Sequence, residues 1–391
     1  MNPRHGEPSA RFVYHTPTHM KTRFSLPRWI ILLAALSYAL VLGCVILPAG
    51  KASSPADAAT NHSTTSPFPT ATTAAMLPFR GAGFQIQRVD WMDQYKQSID
   101  EIAAVGADTV LMVVDSRQEN GTSSRIYLDM RMTPTPDQLG SLILRAKSKK
   151  LRVILMPIVL LDNPRGNEWR GTLKPENWAD WWNSYRGMIS HFAWIAQGYG
   201  VDVLVVGSEL VSTEQAEHLG EWTKTIQLVR SLYKGRLTYS ANWDHYTAVK
   251  FWDQLDLMGL NSYYKLGEDR DVTVPQIQFR WSQIQQDLIP FSRRINKPLL
   301  FLEVGWCSLA NAASEPWDYT KTEEPVDLEL QQKLYEGFFQ SWYGNPYLGG
   351  FMIWEWTPGD GGPRDKGYTP ENKPAEAVLR QWLAKPRWKV Q

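Results

Sequence analysis

From Gly81 to the carboxyl end, short runs rich in Val, Ile, Leu and Phe alternate with longer stretches whose apolar positions recur every three to four residues. The short runs have the length and composition of buried strands. The longer ones have the period of helices that lay one face on a sheet. Leu139, Leu142, Ile143 and Ala146, for example, follow the i, i+3, i+4, i+7 spacing. The pattern predicts strands at Phe84–Gln87, Thr109–Asp115, Arg152–Leu161, Val201–Leu210, Leu237–Trp243, Leu255–Tyr264, Pro298–Gly305 and Gly350–Trp356. Helices are expected over Asp90–Val105, Pro136–Lys150, Glu176–Gly198, Glu214–Tyr233, Val274–Ile295, Leu328–Trp342 and Pro374–Leu383. Eight such units predict an α/β fold, a (β/α)8 TIM barrel over residues 81–385. No glycine-rich phosphate loop follows the first strand, which argues against an open doubly wound sheet. No second domain is expected.

The pattern ahead of Gly81 is different. Trp29 to Leu47 is an uncharged run of 19 residues, preceded by Arg4, Arg11, Lys21, Arg23 and Arg28 against a single Glu7. Such a run is long enough to cross a bilayer, and the basic flank keeps the amino end in the cytoplasm. The expectation is a cytoplasmic tail (1–28), a transmembrane signal anchor (29–48) and a membrane-tethered domain outside the cytoplasm, periplasmic or extracellular. A cleaved signal peptide, giving a secreted form, is the main alternative. A lipoprotein form modified at Cys44 is a second, suggested by Val41-Leu42-Gly43-Cys44. Residues 51–78, rich in Ala, Ser, Thr and Pro, read as a flexible linker.

Composition narrows the function. A net charge of +1 and the lack of a basic stripe set nucleic acid aside. The second cysteine, Cys307, has no partner beyond Cys44, so no disulfide is expected in the domain, and no Cys/His spacing suggests a metal. The eighteen tryptophans form either a large aromatic core or stacking platforms for sugars.

In a barrel of this kind the active site is built at the carboxyl ends of the strands. Asp115 and Arg117 stand there after the second strand, Glu209 after the fourth, Asn242 and Trp243 after the fifth, and Asn261 and Tyr263 after the sixth. The seventh contributes Glu303 and Trp306, and the eighth Trp354, Glu355 and Trp356. By alternation Glu209 shares a face with Val203, Val205 and Gly207, Glu303 with Leu299 and Phe301, and Trp354 with Met352. Glu355 has the opposite parity and is expected to face the helices. Glu209 and Glu303 would meet across the mouth, the carboxyl pair that glycoside hydrolysis needs: one to protonate the leaving oxygen, one to attack the anomeric carbon. Asn261 and Arg117 are candidates to bind hydroxyls or orient the pair. Trp243, Trp306 and Trp356 either stack on sugars or pack at the rim.

Gly207-Ser208-Glu209-Leu210, Asn261-Ser262-Tyr263-Tyr264, Phe301-Leu302-Glu303-Val304-Gly305-Trp306 and Trp354-Glu355-Trp356 resemble glycoside hydrolase clan A, the retaining barrels with catalytic acids on strands four and seven. Within the clan the chain is most similar to family 113, whose characterised activity is on β-mannan. Gly367-Tyr368-Thr369-Pro370 and Lys373-Pro374-Ala375 also resemble the tail of these enzymes. The resemblance implies Glu209 as acid/base, Glu303 as nucleophile, Tyr263 as hydrogen-bond partner of the nucleophile and Trp354 as the platform under the cleaved sugar. It implies no cofactor. Two departures stand out: Ser208 occupies the place where many members carry Asn, and the third strand, Leu155-Met156-Pro157-Ile158-Val159-Leu160, lacks the rim histidine common in mannan-cleaving relatives.

The expectation is a monomeric, membrane-tethered retaining glycoside hydrolase acting on a β-linked polysaccharide or oligosaccharide, with β-mannan the substrate the resemblance suggests. Its carboxyls should lie roughly 5 to 5.5 Å apart. A catalytically silent carbohydrate-binding barrel at the cell surface is the rival. A metal-dependent barrel hydrolase would need a histidine cluster that the sequence does not offer.

Overall fold

The computed structural model describes residues 77–359 and 361–391. The expected tail, the anchor at 29–48 and all but the last two residues of the linker lie outside them. Among the described residues no helix is long and apolar enough to cross a membrane.

The strands are β1 (Phe79–Ile86), β2 (Thr109–Gln118), β3 (Ile126–Tyr127), β4 (Arg152–Leu161), β5 (Val203–Ser208), β6 (Arg236–Ala241), β7 (Met258–Asn261), β8 (Leu299–Val304) and β9 (Leu348–Ile353). All but β3 run parallel in the order β1-β9-β8-β7-β6-β5-β4-β2, and β1 also pairs with β2, so eight strands close into a barrel. The ninth strand was not expected from the sequence: β3 is a two-residue strand lying antiparallel on the end of β2, too short to give a periodic signal. The expected second to eighth strands are thus β2, β4, β5, β6, β7, β8 and β9.

The helices are α1 (Met92–Ala104), α2 (Pro136–Ser148), α3 (Trp178–Tyr199), α4 (Leu219–Leu232), α5 (Val274–Ile295), α6 (Leu328–Trp342) and α7 (Pro374–Leu383). Their starts are chemically marked. Thr135 and Gln138 form a capping box on α2, Asn177 accepts from the first amides of α3, and Asp327 accepts from Leu330 N on α6. α4 begins five residues later than expected, because Val211 to His218 form two short 3-10 turns instead.

Two cores result. Outside the barrel, Phe301 of β8 packs on Trp281, Phe338 and Trp342. Inside, a Cβ on Gly259 would lie 2.6 Å from Thr238 Oγ1 and 2.9 Å from a methyl of Leu302, so a side chain there would collide with neighbouring strands. Among the described residues, seven tryptophans are fully buried, Trp181, Trp182 and Trp222 among them. Each buried aromatic contributes about 1.5–3 kcal/mol relative to exposure. Much of the unusual tryptophan content therefore belongs to the core.

Candidate active site

β5 delivers Glu209 through a break in its alternation. The β5–β6 register shifts between Val205 and Ser208, and a Cβ on Gly207 would strike Trp222 and Tyr185 of the helix layer. Gly207 is therefore turned outward, the face opposite to the one expected. Glu209 adopts left-handed backbone (φ 54°), uncommon for a residue with a Cβ. Amides on both sides hold it: Glu209 N donates to Ser240 O (2.8 Å) and Leu210 N to Tyr239 Oη (2.8 Å). Tyr239 in turn donates to Glu214 Oε1 at 2.7 Å.

The same device places Glu303. Leu299 and Phe301, its expected companions, face the helices, and register shifts on both sides of β8 bring Glu303 inward instead. Tyr263 Oη donates to Glu303 Oε2 at 2.7 Å. The Glu303 carbonyl accepts from Ser262 N (2.9 Å) and Oγ (2.8 Å), fixing the loop after β7 to β8.

Glu209 and Glu303 are buried and act on each other. Burial, followed by the charge of Glu209, pushes Glu303 up to about 8; burial also raises Glu209, against the pull of Arg170 and Asn261. Arg170 Nη2 donates to Glu209 Oε2 at 2.5 Å, and Asn261 Nδ2 donates to Oε1. Asn261 also donates to Asn242 Oδ1 (3.0 Å) and accepts from Trp243 N (2.9 Å), so β5, β6 and β7 share one polar network.

Arg170, Tyr239 and Glu214 were not expected in the site. Arg170 lies in the irregular segment between β4 and α3, where periodicity gives no address. It reaches the mouth from the side where a strand-three histidine was sought.

The remaining candidates divide. Trp354, 3 % exposed, follows the outward Phe351 and Ile353 at the end of β9. Trp243 is half-buried, contacts Tyr264 and Trp317, and heads a cleft of about 250 Å³ that Tyr246, Arg280 and Asp287 also line. Trp306 and Trp356 do not stand in the mouth. Trp306 packs edge-on against Tyr335 of α6, and Trp356 Nε1 donates to Glu101 of α1 (2.9 Å); both are core. Glu355, expected toward the helices, instead accepts from Gln85 Nε2 of β1 at 3.0 Å, and its charge is felt by Glu303. Arg117 is engaged by carboxylates, with Nη2 2.5 Å from Asp115 and Nη1 3.2 Å from Asp162, so it braces the β2–β4 rim.

The profile of glycoside hydrolase family 113 matches residues 81–373. The family 113 β-mannanase AaManA from Alicyclobacillus acidocaldarius, solved with the ligand ManMIm, is 28% identical, covers 80% of this chain over 99% of its own and superposes with TM-score 0.71. A family 113 β-1,4-mannanase is 25% identical over 80% of this chain and 100% of its own, also at 0.71. A Faecalibacterium prausnitzii β-glucuronidase, 15% identical over 80% of this chain and 50% of its own, shares the fold at TM-score 0.55. No curated protein sequence matches the chain. With a closed barrel and a buried glutamate pair at the expected strand ends, the chain belongs to glycoside hydrolase family 113, a retaining family of clan A.

Proposed function

We propose that this glycoside hydrolase cleaves β-linked mannan or its oligomers by double displacement, with Glu209 as acid/base and Glu303 as nucleophile. The observation that carries the assignment is the inward pair itself, each glutamate turned into the mouth by a break in strand alternation. Tyr263 supports the nucleophile role: its hydroxyl stabilises a carboxylate at Oε2 and orients the other oxygen toward an anomeric carbon. Asn261 orients Glu209 and is itself held by the amide of Trp243; Trp354, at the end of β9, and Trp243 are assigned to stack on sugar rings. The β-mannanases among the similar structures support mannan as substrate. The basic, then apolar, amino end supports export and membrane tethering through residues 29–48.

The test is reducing-sugar release from β-mannan compared with cellulose and xylan, with a 2-fluoro-mannosyl probe to trap the intermediate. Mannan should be preferred and the label should reside on Glu303. Glu303→Ala should lower turnover at least about 10³-fold with the fold intact. Label on another residue removes the nucleophile assignment, and glycan binding without release returns the silent-barrel reading.

A further inference from the structure

Both oxygens of Glu209 accept hydrogen bonds, Oε2 from Arg170 and Oε1 from Asn261. Neither donor group can accept a proton, so the arrangement fits an ionised carboxylate. An acid catalyst needs the opposite at its first step, a proton on an oxygen facing the glycosidic bond. We infer that Arg170 is a positioning residue that switches Glu209 between its two catalytic forms, holding the base form through Oε2 and releasing that oxygen when a glycan fills the mouth. The inference rests on Glu209 being the acid/base.

The groups around Glu209 agree with such a switch. Arg170 comes from the segment after β4, Asn261 from β7, Asp244 from the loop after β6, and Glu303 and Tyr263 from the facing wall. Arg170 brings its cation to the carboxyl pair, and at 4 % exposure its charge is little screened. The first catalytic step needs the proton on Glu209, and Arg170 opposes this while it is paired with Oε2. Arg170 sits on a three-residue 3-10 turn, where its side chain can change partner without breaking a strand or helix.

The chemistry balances without another reactant. In glycosylation the proton on Glu209 goes to the leaving sugar oxygen as the C1–O bond breaks and the Glu303–C1 bond forms. In deglycosylation water attacks C1, its proton goes to Glu209, and Glu303 leaves as carboxylate. Arg170 keeps its charge throughout.

Arg170→Met and Arg170→Gln should both raise the alkaline limb of kcat/KM for a β-manno-oligosaccharide by about 1–3 pH units, since the lost cation no longer favours ionised Glu209. Arg170→Lys should leave the limb near its original place. On a dinitrophenyl glycoside, whose leaving group needs no proton, kcat of both neutral variants should fall as the base form is lost. Arg170→Gln, which keeps a donor, serves if Arg170→Met does not fold. A uniform loss at all pH values with the limb unmoved would reduce Arg170 to a structural residue and overturn the switch. Failure of the underlying assignment looks different: Glu209→Ala would then abolish the dinitrophenol burst itself, whereas an acid/base variant keeps the burst and loses oligosaccharide turnover.

Discussion

The two carboxyls of the mouth differ in the company they keep. Glu209 is held by a guanidinium and an amide, Glu303 by the phenol of Tyr263. Tyr263 is buried and its own ionisation is pushed far up, first by burial and then by the charge of Glu303, so it acts as a donor throughout the working range. Its hydrogen bond opposes the burial that raises Glu303, favouring the ionised nucleophile. Tyr263→Phe should therefore lower kcat about 10²-fold or more, the usual loss for one preorganised donor, with KM changed little. It should also move the acid limb of kcat/KM upward, because the ionised form of Glu303 loses its partner. A variant with KM alone altered would place Tyr263 in sugar binding instead.

At the scale of elements, the barrel was legible because periodicity and strand composition survive wherever helices pack on a sheet: the eight parallel strands and seven helices of the described residues overlap the expected ones, with the starts of β1 and α4 off by five residues. The ends of those strands were not legible. Parity put Glu303 on the face of Phe301, yet Phe301 lies under α5 and α6 and Glu303 is turned inward by a register shift. The same loss of alternation sends Trp306 and Trp356 outward and Glu355 inward. An alternation rule cannot see an inserted residue. The turn after β5 shows what such a break requires. Left-handed Glu209 is followed by Leu210, whose amide is fixed by Tyr239, which donates to buried Glu214. Burial pushes Glu214 up to about 7 from an ordinary 4.5, so the folded state binds its proton more tightly than the unfolded chain does. That contribution is fully present below about pH 4.5 and is lost as pH rises through 7. Glu214→Gln cannot ionise. Urea unfolding at several pH values should show it gaining on the parent protein as pH rises from about 5 through 7. An offset independent of pH would mean that Glu214 is not the titrating group.

For the whole molecule, the question is what the barrel needs from the first 76 residues. β1 pairs with both β2 and β9, so the sheet has no open edge for a preceding segment to cover. The carbonyl of Pro78 accepts from Arg152 and Arg387, and Arg80 pairs with Asp108, so contacts among the described residues already tie the start of β1 to β2, β4 and the carboxyl end. A chain starting at residue 77 should thus fold, and its kcat/KM on soluble manno-oligosaccharides should match that of the full chain. The amino-terminal residues would act on location instead: an uncharged run of 19 residues behind five basic ones is the expected membrane anchor. The full chain should sediment with membranes, resist salt and come free in detergent, while the shortened chain stays in the supernatant. Mass spectrometry of the mature amino end separates the alternatives, because an anchor keeps residues 29–48, a signal peptide loses them and a lipoprotein begins at a modified Cys44. Full-length protein found in the supernatant with those residues intact would sink the tether. Loss of activity in the shortened chain, with its unfolding transition unchanged, would show that the amino-terminal residues contribute to the mouth itself.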